Sequence, residues 1–314
     1  MTVIESTPTA HPESPLLTKI RRLSTASAKR VIEPDEDVPG HVGPGQIIPD
    51  ELLSTSGLDL GLTADQRRTL SREEVGSITK AGIAFEAVLE AGFALEIAFA
   101  KDATDPRIVF LLHEIGEETR HQRIFIRMLE DLQPKAQHPL DRRLFRFIER
   151  KAITRFIQKP AMLYTLVLGG EEIPDLIQKR AGEHPDTDPF VRDVNRYHRQ
   201  EEARHLSFAR SVLPDVWAKA SRAERFLVKR IAPRIIAGMF DMLVHPGVYE
   251  TIGLPGWDTW NQVRRSPKRV AMRHEATRPV LSALMDAGAI SAGSVPPAWR
   301  TLCGVDRQGE PVTA

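Results

Sequence analysis

The chain has 314 residues, enough to bury one or two sizeable cores, and its 43 basic and 42 acidic residues leave a net charge of +1. That balance excludes a global field able to recruit nucleic acid or an anionic membrane surface. A single cysteine, Cys303, excludes an intrachain disulfide and any site built from several thiolates. It fits a reducing cytoplasm and shifts metal binding onto imidazole and carboxylate, donors that suit iron or manganese.

Residues 1–60 are rich in Pro, Ser, Thr and Gly and sustain no hydrophobic period. They predict a mostly irregular N-terminal arm ahead of a helical domain over 61–314, with the basic run Lys19–Arg22 read as a solvated turn. No apolar leader core opens the chain and no apolar run reaches about 18 residues, so neither a signal peptide nor a membrane span is expected. A helical pattern starts at Thr63 and continues without Pro to about Lys101, as one helix or as two joined near Ser71. Its stripe of Gly82, Ile83, Glu86, Leu89, Glu90, Phe93 and Ile97 sets two carboxylates in an apolar face, where they need an interior partner.

Asp105 and Pro106 supply an N-cap and a first-position proline for a second helix running to about Leu132, which carries Glu118 and His121 among Ile108, Leu111, Leu112, Ile115 and Phe125. A connecting helix is expected from about His138, basic on one side through Arg142, Arg143, Arg146, Arg150 and Lys151. The next helix spans Ala161 to about Arg180. Two glycines and Pro174 lie in its middle, so the ladder is expected to distort near Glu171 and Glu172, as a π-bulge or as a simple break. A turn from Gly182 to Asp188 leads to a fourth helix ending near Val212. Two further apolar stretches, 222–243 and 267–287, are assigned to packing, pocket walls or an oligomer contact.

On the fourth helix His198, Glu202 and His205 share one stripe. Glu201–His205 reads Glu-Glu-Ala-Arg-His, and Glu117–His121 reads Glu-Glu-Thr-Arg-His at an offset of 84 residues. Either copy alone is an ordinary solvated face. Two Glu-x-x-His segments on two helices, with one carboxylate from each of two others, make the two-metal centre of a four-helix bundle. The expected fold is therefore all-α, a ferritin-like four-helix bundle with additional helices. Residues facing each other in a hairpin are equidistant from its turn. Turns near Asp102–Thr104 and near residue 186 then select Glu86 over Glu90 and Glu171 over Glu172, each by a narrow margin that leaves the alternative open. The expected ligand set is Glu86, Glu118, His121, Glu171, His198, Glu202 and His205. Glu117 and Glu201 are left to pair with Arg120 and Arg204, and Tyr164 is read as core in preference to a substrate-cavity wall.

Over about residues 80–210 this pattern resembles the AurF-type di-iron N-oxygenases, the p-aminobenzoate N-oxygenase family of the ferritin-like superfamily. The paired Glu-x-x-His motifs are common to the superfamily. The added His198, four residues before Glu202, and the 31 residues between Glu171 and Glu202 are closer to that family. The resemblance implies an oxidoreductase with two iron ions, manganese being the alternative. It would take up dioxygen as a peroxo-bridged diferric species and oxidise an amine nitrogen, an arylamine by family default. No Gly-x-Gly-x-x-Gly segment for a flavin or nicotinamide is present, so an external electron donor is expected, and with it a cytoplasmic homodimer. The same metal site would serve a carbon hydroxylase or a di-manganese or di-iron peroxide-handling enzyme. An iron store would need a short, acidic, cage-forming chain, and a metal-free helical scaffold is the remaining reading.

Overall fold

The computed structural model describes residues 14–139, 151 and 153–312. Helix α1 (Pro15–Lys29) and the single turn α2 (Pro34–Asp37) lie in the N-terminal arm, which is otherwise irregular apart from a short 3-10 turn at Asp50–Leu52. The sequence reading passed over α1. Its Ser14 cap and first-position Pro15 start it, and Ile20, Ser24 and Ser27, spaced at helical intervals, form its buried face against the bundle. Lys19–Arg22 is thus part of a helix, with Arg21 and Arg22 exposed, instead of a turn.

Four long helices build the body: α3 (Ala64–Ala98), α4 (Pro106–Leu132), α5 (Pro160–Glu183) and α6 (Pro189–Lys219). They pair as two hairpins, α3 with α4 and α5 with α6. Helix α3 opens with a capping box between Thr63 and Gln66 and runs unbroken past Ser71. The buried Ser71 hydroxyl is taken up elsewhere: it accepts the amides of Ile47 and Ile48 at 2.9 and 2.8 Å and so fastens the arm to the helix. Helix α4 is capped by Asp105 and stops where Gln133 turns left-handed (φ 45°) ahead of Pro134. The expected basic face at Arg142, Arg143, Arg146 and Arg150 lies outside the described residues.

Two prolines behave differently from expectation. Helix α5 is continuous α-helix through Gly169, Gly170 and Pro174, with neither a π-bulge nor a break. The two glycines serve close packing: a Cβ on Gly170 would fall inside the Phe85 ring of α3, and one on Gly169 would come within 2.7 Å of Ile236 Cγ1. Helix α6 passes through Pro214 to Lys219 where a stop near Val212 was expected. Proline costs about 3 kcal/mol inside a helix, and burying Val212, Leu213 and Trp217 offsets it at about 1.5–3 kcal/mol per large apolar side chain. The π turn occurs instead at Leu227–Ile231, between α7 (Arg222–Phe226) and α8 (Ala232–Met242). Helices α9 (Pro246–Glu250) and α10 (Gly256–Arg265) follow, then α11 (Pro267–Asp286), packed on α5, and α12 (Pro297–Cys303), closing on α11 and α8.

The buried apolar side chains form two clusters, one around Phe93, Phe110, Tyr164, Phe208 and Trp299, the other around Ile47, Leu70, Phe125, Phe190 and Tyr249. Along α4 the change from one to the other falls between Leu111 and Ile124, and along α6 between Tyr197 and Leu206. Glu118, His121, His198 and Glu202 occupy those intervals, so polar side chains fill the waist between two apolar cores. Among the described residues no helix is long and apolar enough to cross a membrane, and the only strand-like pairing is the bridge between Val305 and Pro311.

Candidate metal centre

Glu118 and His121 on α4 and Glu202 and His205 on α6 meet in the interior, none more than 1% exposed. Each central carboxylate faces both imidazoles. Glu118 sets one oxygen 3.2 Å from His121 Nδ1 and the other 3.4 Å from His205 Nδ1. Glu202 mirrors it, 3.4 Å from His121 Nδ1 and 3.2 Å from His205 Nδ1. His198 adds its Nε2 from one turn earlier on α6, 3.2 Å from Glu86 of α3 and 3.7 Å from Glu202. Glu171 of α5 is 2% exposed and lies against Glu202. All seven residues of the expected set therefore converge.

The alternatives have other partners. Glu90 is only half-buried and accepts from Gln122 Nε2 at 2.6 Å, whereas Glu172 is paired with Arg210. Tyr164 is buried between Phe93 and Phe208 and donates to Glu96 at 2.7 Å. The first Glu of each repeated segment has a different task. His205 Nε2 sits 2.7 Å from Glu117 and His121 Nε2 3.1 Å from Glu201, so each copy supplies the partner for the other copy's imidazole. Those carboxylates are compensated in turn: Arg204 lies 2.9 Å from Glu117 and 3.3 Å from Glu201, and Arg120 lies 3.5 Å from Glu201. A carboxylate behind an imidazole fixes its tautomer and leaves Nδ1 as the lone pair facing inward. His198 is turned the other way, with Nδ1 2.9 Å from Gln178 Oε1, so that an amide carbonyl accepts Nδ1–H and Nε2 faces the centre.

Two residues of this arrangement were missed in the sequence. Gln178 carries no motif. Glu114 is 1% exposed, and its carboxylate, one from Glu118 and the His205 ring offer atoms within 4.8 Å of one another. The sequence reading passed over it, although it stands four residues before Glu118 as His198 stands before Glu202.

Charge decides what the cluster can hold. Burial pushes Glu86 and Glu171 well above the usual carboxylate range, and the neighbouring carboxylates push the same way. Burial, with some help from Glu118, takes Glu114 up to about 8. Burial opposes charge on His121, but its bonds to Glu118 and Glu201 outweigh that and raise it to about 10; His205 is raised likewise through Glu202 and Glu114. Burial and the adjacent His121 lower His198 to about 4, leaving it a neutral donor. Protons thus share in offsetting the acids of the centre. Meanwhile one oxygen each of Glu86, Glu114, Glu118, Glu171 and Glu202 is buried without a hydrogen-bond partner among the described residues. Orphaned acidic oxygens converging with imidazole lone pairs fit metal cations, which would replace those protons. Among the described residues three overlapping groups have ligand atoms within 4.8 Å of one another: Glu86, His121 and His198; Glu118, His121 and Glu202; Glu114, Glu118 and His205. An open surface depression of about 460 Å³ along Asp50–Leu62 touches none of these residues.

A family model described as p-aminobenzoate N-oxygenase AurF matches residues 18–288. An uncharacterized protein of Mycobacterium bovis and one of Mycobacterium tuberculosis are each 29% identical over 171 residues, 54% of this chain and 49% of theirs. The chain spans about half the length of the curated relatives it matches. Among solved structures, a variant of an R2-like ligand-binding oxidase with an aerobically reconstituted Mn/Fe cofactor superposes with a TM-score of 0.51 at 16% identity, covering 90% of this chain and 96% of that one. A second variant, with an anaerobically reconstituted Mn/Fe cofactor, gives 0.50 with the same identity and coverage. That likeness is one of fold: the ferritin-like helical bundle.

Proposed function

The chain belongs to the p-aminobenzoate N-oxygenase AurF family, and from that premise we propose that it is a di-metal oxygenase that uses dioxygen to oxidise an amine nitrogen, with an arylamine as substrate. The observation that carries the reading is the convergence of Glu86, Glu118, His121, Glu171, His198, Glu202 and His205 from four helices on one buried point, where one oxygen of each of the four carboxylates has no hydrogen-bond partner among the described residues. We assign those seven as metal ligands. Glu118 and Glu202, each facing both Nδ1 atoms, would be the carboxylates common to both ions. Glu86, His121 and His198 would hold one ion, and His205, with Glu171, would hold the other. Both ions are taken to be iron, and manganese, which shares a site with iron in the R2-like oxidases named above, is the alternative.

When bound, the metals supply the two-electron activation of dioxygen. The overall reaction consumes the amine, dioxygen, two electrons and two protons and yields the N-hydroxylated amine and water. The chain itself fixes the donors. Glu117 and Glu201 hold the outer nitrogens of His205 and His121, and Arg204 and Arg120 lie against those carboxylates. Burial opposes the charge on Glu117, but His205 and Arg204 outweigh it and hold it down at about 2, anionic at any working pH. Apolar cores on both sides of the waist keep bulk water away from the donors. Electrons come from an external donor. We place the protein in the cytoplasm as a homodimer.

The test is turnover. Iron-loaded protein, a chemical reductant, isotopically labelled dioxygen and p-aminobenzoate are expected to give labelled hydroxylamine, nitroso or nitro products by mass spectrometry. Label found on ring carbon instead makes it a carbon hydroxylase. Peroxide consumption with no labelled product makes it a peroxide-handling enzyme.

A further inference from the structure

We propose that Glu114 is an eighth ligand, serving the ion held by His205 and Glu171; this rests on the di-metal reading above. The first argument is an internal symmetry. The offset of 84 residues that carries Glu117, Glu118 and His121 onto Glu201, Glu202 and His205 also carries Glu114 onto His198, and Glu86 corresponds to Glu171 at an offset one residue longer. His198, on α6, groups with His121 of α4. Glu114, on α4, groups with His205 of α6. Each helix therefore sends one extra donor, a turn before its central Glu, to the imidazole of the opposite helix.

The second argument is how the chain treats its other buried acids. Glu74 accepts the amide and hydroxyl of Ser54, Glu73 accepts the amides of Lys135 and Ala136, and Glu224 accepts the amide of Ala161. Each is hydrogen-bonded by donors from a neighbouring segment. Glu114 is as deeply buried, at 1% exposed, yet its Oε2 has no hydrogen-bond partner among the described residues. A buried carboxylate oxygen left without a donor among the described residues, in reach of a second carboxylate and an imidazole, is arranged for a cation.

With Glu114 included, the two positions have different chemistry. One is nitrogen-rich, with His121, His198 and Glu86. The other is oxygen-rich, with His205, Glu171 and Glu114. Both share Glu118 and Glu202. The oxygen-rich position suits the harder ion or the higher oxidation state.

The experiment compares wild-type protein with E114Q and E114D after anaerobic loading with ferrous iron. It reads iron per chain after desalting, Mössbauer spectra, and thermal unfolding with and without metal. The wild type is expected to hold about two ions per chain. E114Q is expected to keep the first and to bind the second at least about tenfold more weakly, with E114D between them. Metal-free E114Q should be no less stable than metal-free wild type, because it removes an orphaned acid, while its gain in Tm on loading should shrink. A merely structural Glu114 would lower both Tm values together and leave the spectra alone, and that result overturns the proposal. So does an E114Q protein that binds both ions with wild-type affinity and unchanged spectra. If E114Q does not accumulate folded, E114D with wild-type affinity and spectra overturns it equally. A wild type that binds no iron sinks the di-metal reading and this inference together, whereas two ions in wild type and in E114Q alike sink the inference alone.

Discussion

Replacing Gly170 by Ala separates two effects of opposite sign. Helix propensity alone favours Ala over Gly in the middle of α5 by about 1 kcal/mol. Against that, the new Cβ would fall inside the Phe85 ring, at a point where α3 and α5 approach next to Glu86 and Glu171. The ring has to retreat by well over an ångström to restore a contact of roughly 3.5–4 Å. Because Phe85 is half-buried, it can do so only by giving up apolar contact or by prying the helices apart. Overpacking of this kind costs about 1–3 kcal/mol. The net expectation is a loss of about 1 kcal/mol or slightly more, roughly 1.5–3 °C in Tm for a chain of this size, with weaker metal retention because Glu86 is displaced relative to Glu171. Thermal unfolding with metal counting reads both. A Gly170→Ala protein more stable than wild type would mean that the glycine does not set the spacing of the two helices.

Removing Arg204 with R204M takes away the cation 2.9 Å from Glu117 and 3.3 Å from Glu201, with a side chain only 12% exposed. Breaking a pair so buried is expected to cost about 3 kcal/mol in chemical denaturation, and to weaken metal binding about tenfold. Q178L, which deprives His198 Nδ1 of its acceptor at 2.9 Å, should weaken iron binding by about tenfold while Q178E restores it; equal affinities in all three proteins would dismiss the orienting role. Glu74, remote from the cluster, supplies the pH test. Burial pushes it up to about 7 from an ordinary 4.5 despite the bonds from Ser54. A raised acid stabilises the fold fully below pH 4.5 and loses that contribution as pH climbs through about 7. Wild type should therefore lose about 3 kcal/mol across that window relative to E74Q, measured by urea unfolding at several pH values, and parallel profiles for the two proteins would refute it.

The paired Glu-Glu-x-Arg-His segments made most of the centre legible, because a repeat at helical spacing restricts both the fold and the face. Helix caps were equally readable: Thr63, Asp105 and Pro106 mark the starts of α3 and α4 where the structure has them. The misses share a cause. Gly169, Gly170, Pro174 and Pro214 were weighed by local propensity, whereas tertiary packing governs them: close approach to Phe85 and Ile236 in one case, burial of Leu213 and Trp217 in the other. Helix α1 is short and only its buried Ile20, Ser24 and Ser27 face reveals it, a pattern too sparse to rise above a Pro- and Ser-rich background. Glu114 hid among neighbouring acids because a Glu one turn before Glu-Glu reads as solvated surface. Only applying the repeat offset to His198 would have singled it out.

The whole account stands on cations at the waist of the bundle, and elemental analysis of the protein purified from iron- and manganese-supplemented cells tests this most directly. About two transition-metal ions per chain are expected, falling to one or none when Glu118, shared by both imidazoles, is replaced by Ala. A wild-type protein that is fully folded, binds no iron or manganese after anaerobic loading, and gains no Tm from either ion would contradict it.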